Sequence, residues 1–236
     1  MTVSVDEVLD RLAVTRLAHF TPARNLWHIA QDGCIRSSKD LADHAPDYFD
    51  PTDHERFDRH PEMVCTSFEY PNVYYLAHAR VKPQYTNYPD WVCLLLNRDL
   101  VRRPGSLFCD CNAAKHSGAH LREGADALLG CFADVSPTAG WHRSSNQLAG
   151  SATDLQAEAL IPGPIDLSDV LGIVVPSADD ALNQYGILAL GNLGPERFGW
   201  VVSPVLFSTS RLVSAIKNGH DIEEYVWRPP IGLGAR

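Results

Sequence analysis

Six consecutive apolar residues, Trp91-Val92-Cys93-Leu94-Leu95-Leu96, restrict the folds open to this chain more than any other segment. A run this continuous has no polar alternation, so a strand made from it leaves no face for solvent and is buried. It is also far short of the roughly 18 apolar residues that a bilayer span requires, and no other stretch approaches that length. The chain has 236 residues, 45% of them hydrophobic and 21% charged, enough to bury one core without disulfides or metals as staples. A single domain over residues 1–236 is therefore expected.

Short elements surround that strand. Val5, Val8, Leu9, Leu12 and Val14 are spaced for a short amphipathic helix within residues 3–17. Residues 17–21 read as a strand, and residues 25–30 as a helix closed by Gly33. The polar, Asp- and His-rich stretch 37–61 reads as a long loop with one helical turn. Residues 63–68 read as a strand and 71–80 as a helix; residues 118–134 read as partly helical. Two later strands, 154–161 and 170–175, are separated by Pro162-Gly163-Pro164. Short apolar runs follow at 187–190 and 200–207, then a helix over 211–217. The class is α+β, several short strands with peripheral helices.

Composition narrows the functions. Net charge is -9, so the whole-molecule field gives no help in capturing a polyanion, and any nucleic-acid contact has to be local. Arginines gather at Arg98, Arg102 and Arg103 and at Arg122 and Arg143, mostly as solvated surface charge. The acidic N-terminus lacks the basic start of a signal peptide, and six scattered cysteines suit reduced thiols. A cytoplasmic protein without disulfides or a membrane partner is expected. No Gly-x-Gly-x-x-Gly follows a strand and no Walker-type segment is present, which disfavours Rossmann and P-loop sites.

The polar pattern with most chemical content is Gln156-Ala157-Glu158, because residues two apart on a strand share one face. A carboxylate there can bind a ribose hydroxyl and stabilise the charge that develops as a glycosidic bond breaks, while the amide orients an acceptor. The bland alternative is a polar pair on a solvated strand face. His19 and Thr21 likewise share a face, with Asn25 one helical turn on; a structural histidine bonded to a backbone carbonyl is the alternative for His19. Thr66 and Ser67 form a third polar group, or a cap before Tyr70-Pro71. Cys109, Cys111, His116, His120 and Cys131 are zinc-binding types, yet Cys-x-Cys is the less usual spacing and Gly118 weakens a helix that would align the histidines. No metal is expected.

In order and content these segments resemble the DarT family, toxin ADP-ribosyltransferases that modify bases in single-stranded DNA. The likeness covers roughly residues 17–175. It runs through Leu17-Ala18-His19-Phe20-Thr21 with Asn25-Leu26, Glu55-Arg56, Tyr70-Pro71-Asn72-Val73-Tyr74-Tyr75-Leu76 and, most specifically, Asp154-Leu155-Gln156-Ala157-Glu158-Ala159-Leu160-Ile161-Pro162. The resemblance implies an ADP-ribosyltransferase-like split of two small mixed sheets with NAD, as co-substrate, in the cleft between them. It implies Glu158 as the catalytic carboxylate and, from the loop before the second polar strand, Arg56 or Arg59 as the catalytic arginine. Arg56 is favoured because it follows Glu55, and its planar fork suits a pyrophosphate. His19, Thr21, Asn25 and Ser67 fall on the NAD side; of Tyr70, Tyr74 and Tyr75, which could stack on nicotinamide or a base unless they pack in the core, Tyr74 is the one chosen. Gln156, Arg143, Asn112 and His116 fall on the acceptor side, with Trp141 beside Arg143 in the loop 139–153. Cys65-Thr66-Ser67 departs from relatives with a tyrosine on that strand and looks more like the serine-threonine-serine strand of the arginine-serine-glutamate class.

The function implied is transfer of ADP-ribose from NAD to a thymine or guanine in single-stranded DNA, by the toxin of a toxin–antitoxin pair whose antitoxin is a macrodomain. Two alternatives stay open: the same fold acting on RNA, a protein side chain or a small molecule, and a non-catalytic zinc- or partner-binding module.

Overall fold

The computed structural model describes residues 3–47, 49, 56–85 and 90–230; Glu55 lies outside them. Helix α1 (Val5–Leu9) opens with a capping box, Ser4 Oγ accepting from the Glu7 N–H at 3.1 Å and the Glu7 carboxylate accepting from Ser4 N–H at 3.0 Å. Then come β1 (Arg16–Pro22), α2 (Asn25–Asp32), β2 (Cys34–Ile35) and α3 (Ser38–His44), followed by β3 (Met63–Phe68), α4 (Val73–Arg80) and β4 (Trp91–Asn97). The middle of the chain holds β5 (Leu107–Cys109), β6 (Arg122–Glu123), α5 (Ala125–Gly130), β7 (Glu158–Pro162), β8 (Ile165–Asp166) and β9 (Val170–Val175). The C-terminal part adds α6 (Ala178–Leu190), β10 (Trp200–Val202), α7 (Thr209–Asn218) and β11 (Tyr225–Trp227).

Among the described residues, nine strands form one mixed sheet in the order β11-β10-β9-β4-β1-β3-β7-β5-β6, and β2 pairs with β8 in a small second sheet. The apolar run becomes β4, an interior strand with both faces covered: Val92, Leu94 and Leu96 join the larger core, Cys93 and Leu95 the one under α7. The sheet is not uniformly closed. β1 pairs with β4 along its whole length, from Arg16↔Asn97 to Pro22↔Trp91, and β3 pairs with β7 from Met63↔Pro162 to Ser67↔Glu158. Between β1 and β3, however, only Leu17↔Phe68 and Ala18↔Ser67 are paired. From there the two strands part, leaving a fork between a five-strand half and a four-strand half. The expected split into two small sheets is thus a single sheet parted along much of one seam.

Two sequence expectations change. The strand expected over 154–161 begins only at Glu158, because Asp154 folds the chain back: its Oδ1 accepts the Gln156 N–H at 2.9 Å and its carbonyl accepts the Ala157 N–H at 2.9 Å. The apolar run 187–190 is the end of a 13-residue helix, α6, capped by Ser177 and burying Ala181, Gln184, Tyr185 and Leu188 on one face. A polar residue at a core position and Gly186 within the helix obscure that period in the sequence. All six cysteines are free, and no helix among the described residues is long and apolar enough to cross a membrane.

Candidate active site

The fork between β1 and β3 opens into a cavity of about 220 Å³ walled by both strands, the loop before β3, the start of α4, the residues after β5, and Glu158. Where β1 and β3 part, the missing ladder bond is replaced by a side chain: His19 Nδ1 donates to the Cys65 carbonyl at 2.8 Å. That bond sets the tautomer and leaves Nε2 as an acceptor. Burial, with the Arg56 charge adding to it, outweighs this hydrogen bond and lowers the His19 pKa, so the ring is neutral near pH 7.

Glu158 is the first residue of β7, flanked by Ser67 of β3 and Cys109 of β5. Its Oε2 accepts the Ala113 N–H at 3.0 Å. Burial pushes its pKa up to about 7, and the nearby Asp58 carboxylate adds to this. The Ala113 N–H, the Asn72 amide and the Arg56 charge work the other way, in that order of size. A carboxylate held near its midpoint at neutral pH can take a proton from an acceptor and, when ionised, stabilise positive charge at a ribose carbon.

Arg56 lies in the same wall, every guanidinium nitrogen engaged. Nε and Nη2 reach Asp58 at 2.8–3.2 Å, Nη1 reaches Ser38 Oγ at 2.9 Å and the Met63 carbonyl at 3.3 Å, and Nη2 also reaches the His60 carbonyl at 2.8 Å and Cys65 Sγ at 3.3 Å. In this structure the fork expected to suit a pyrophosphate is turned onto its own loop, which uses Arg56 to organise itself. Arg59 is exposed and outside the cavity lining. The loop is clasped from the other side by Gly118, at φ +80°, where a Cβ would stand 2.3 Å from the Asp58 carbonyl oxygen.

Of the residues singled out in the sequence, the fold brings His19, Arg56, Thr66, Ser67, Asn112 and Glu158 to one cavity. The others lie elsewhere. Asn25 Nδ2 donates to Thr21 Oγ1 at 2.8 Å, so these two satisfy each other outside the lining. Tyr74 points outward at 40% exposure, and the next residue, Tyr75, lines the cavity, packed against Phe20. Gln156 is in the turn, not on the strand face of Glu158. Arg143 spends its fork on the carbonyls of Leu148, Ala149 and Ser151 at 2.8–3.2 Å, stapling the loop before β7. His116 is exposed, edge-on to His120 at 5.2 Å. The sequence reading gives no role to Asp58 or Asn72 and prefers Tyr74 to Tyr75; Asn72 carries a signal, an N-cap residue ahead of an apolar helix, and the buried phase of α4 (Val73, Leu76, Ala79) separates Tyr75 from Tyr74.

Cys109, Asp110 and Cys111 bring ligand atoms within 4.8 Å of one another behind β7. The Asp110 Oδ2 is already taken by Ser136 Oγ and the Thr138 N–H, each at 2.6 Å.

Residues 18–198 match the DarT family, described as ssDNA thymidine ADP-ribosyltransferase. Among curated proteins none matches the chain by sequence. Among solved structures it resembles Thermosipho africanus DarTG in complex with ADP-ribose, with TM-score 0.55 and 16% identity over 82% of this chain and 51% of that one, so it spans about half of that protein. It resembles Thermus sp. 2.9 DarT in complex with NAD+, with TM-score 0.52 and 16% identity over 83% of this chain and 98% of that one. The same protein in complex with ADP-ribosylated ssDNA gives TM-score 0.54 and 16% identity over 82% and 96% of the two chains. At these identities the structural likeness concerns the fold.

Proposed function

The chain belongs to the DarT family, and on that premise we propose that it transfers ADP-ribose from NAD to a thymine base of single-stranded DNA, with Glu158 as its catalytic carboxylate. The observation that carries this reading is a half-buried, desolvated carboxylate of pKa about 7 lining the cavity of the sheet's fork, with His19, Ser67 and Arg56 around it. The solved relatives whose complexes contain NAD+ and ADP-ribosylated ssDNA support the donor and the acceptor.

The chemistry follows from what each group can do. Ionised Glu158 accepts a hydrogen bond from a hydroxyl of the nicotinamide-side ribose and stabilises the oxocarbenium-like charge as the carbon–nitrogen bond to nicotinamide breaks, nicotinamide leaving with the bonding pair. The amide nitrogen of the base then bonds to the ribose carbon, and its proton passes to Glu158. Arg56, held by its own loop, acts as a fixed positive charge in the wall that favours the ionised carboxylate. Neutral His19 offers Nε2 to a donor hydroxyl. Ser67, Tyr75 and Asn112 complete the enclosure on the NAD and acceptor sides. The proposal extends to a biological setting: a toxin acting in the cytoplasm and paired with a macrodomain antitoxin that removes the modification, a reading to which the likeness to DarTG lends support for the pairing.

The test is incubation of the purified protein and its Glu158→Ala variant with labelled NAD and separate single-stranded DNA, duplex DNA, RNA and protein acceptors. Label should appear on single-stranded DNA alone and fall by at least about a hundredfold in the variant. Label on RNA or protein would reassign the acceptor; undiminished transfer by a folded Glu158→Ala protein would remove Glu158 from the chemistry.

A further inference from the structure

Asn72 has one half of its amide accounted for by the fold and the other half unused. Its Oδ1 accepts the Tyr75 N–H at 3.1 Å, capping α4, and its own backbone N–H donates to Ser67 Oγ at 3.2 Å. With Oδ1 committed to the helix, Nδ2 is turned away from it. The residue is 1% exposed, it lines the cavity with Glu158, and among the described residues Nδ2 makes no hydrogen bond of normal length and angle, although it stands near the Glu158 carboxylate. A buried donor without an acceptor is rare because it loses water and gains nothing. Capping alone does not explain it, since Ser, Asp or Thr would cap α4 without an orphaned donor.

We propose that Asn72 is a positioning residue for Glu158: Nδ2 takes one carboxylate oxygen while the Ala113 N–H holds the other, keeping the carboxylate ionised and aimed into the cavity during transfer. This rests on the reading of Glu158 as the catalytic carboxylate. The Asn72 amide already lies close enough to favour the charged form of Glu158. The other titratable groups facing that carboxylate are Asp58 and Arg56 from the loop before β3, Cys65 from β3 and Cys109 from β5, with neutral His19 of β1 in the same cavity. Asp58 opposes ionisation and Arg56 favours it, so two neutral donors, the Ala113 N–H and Asn72 Nδ2, are what the carboxylate has besides one cation.

The experiment compares wild type, Asn72→Ser, Asn72→Asp and Glu158→Gln in transfer from NAD to a single-stranded DNA oligonucleotide, with kcat and KM resolved from about pH 5.5 to about pH 9.5, a range bracketing the titration of such a group. Both Asn72 substitutions keep an oxygen to cap α4, so unfolding midpoints should stay close to wild type. In Asn72→Ser the acid limb of kcat should move up by about one pH unit, and further in Asn72→Asp, where a second carboxylate faces Glu158, with KM for NAD within about twofold. An acid limb that stays in place in folded Asn72→Ser overturns the proposal, whether kcat is kept or falls equally at every pH, because a cap alone would behave that way. If Asn72→Asp does not fold, Asn72→Ser carries the test. Glu158→Gln separates the two claims: inactive there, with Asn72 variants like wild type, only the proposal fails; as active as wild type, the reading of Glu158 fails and takes the proposal with it.

Discussion

A carboxyl group with its pKa pushed up to about 7 is half protonated at neutral pH, and the burial that makes Glu158 a usable base also strains the fold. Its ordinary value is 4.5, so between 4.5 and about 7 the folded protein holds a proton that the unfolded chain has released. The stabilisation from that proton is complete below 4.5 and is lost as pH rises through about 7. Glu158→Gln, which cannot ionise, should therefore be more stable than wild type at pH 8, by up to about 3 kcal/mol, with the gap closing at low pH. Urea unfolding at the two ends of this range checks it; equal stability of the two proteins at pH 8 would contradict the burial described. Wild-type transfer should rise with pH to a plateau above about 7 as the same group ionises. At this scale the sequence was legible where a residue sits on a regular strand, as with His19 and Glu158. Gln156 was not, because a two-residue alternation argument presupposes a strand that Asp154 prevents from starting before Glu158. Arg143 shows a second limit: in sequence a loop arginine looks free for phosphate, and only the folded loop shows the three carbonyls, of Leu148, Ala149 and Ser151, that occupy its guanidinium.

Between elements, the site depends on two loops meeting over the cavity. The loop before β3 brings Arg56 and Asp58, the segment after β5 brings Asn112 and the Ala113 N–H, and Gly118 is where the second loop touches the first. Gly118→Ala meets two penalties at once, a φ of +80° and a Cβ placed 2.3 Å from the Asp58 carbonyl oxygen. It should destabilise the protein by about 1–3 kcal/mol and weaken transfer, since relief requires the Asp58 loop to move. Chemical unfolding together with KM for NAD measures both; a variant unchanged in each would show that the loops do not need the contact. Of the elements, β4 could be read from six apolar letters and α2 from its Gly33 stop, because both signals are local. The clasp at Gly118 joins residues 60 positions apart and leaves no pattern in the chain, and the parting of β1 from β3 is likewise a matter of which strands pair, not of their composition.

For the molecule as a whole, the cavity is a gap in a sheet. Backbone groups of β1 and β3 that would have paired beyond Ala18 and Ser67 face each other across it, bridged by His19. Amides on the fork side of these strands should exchange with solvent hydrogen faster than those of β4, which is paired on both sides. NAD bound to the Glu158→Gln protein should slow the fork-side amides selectively, which exchange measured by mass spectrometry can resolve; uniform slowing across the sheet would place the nucleotide elsewhere or show only global stabilisation. The gap also bears on how the protein behaves at high concentration. Open strand edges are templates for aggregation, and the outer edges of this sheet, β6 and β11, span only two and three residues. Among the described strands, the unpaired parts of β1 and β3 lie inside the fork, where the two strands are joined at one end. Precipitation of this protein should thus follow unfolding rather than edge-to-edge stacking of native molecules, with the net charge of -9 adding mutual repulsion.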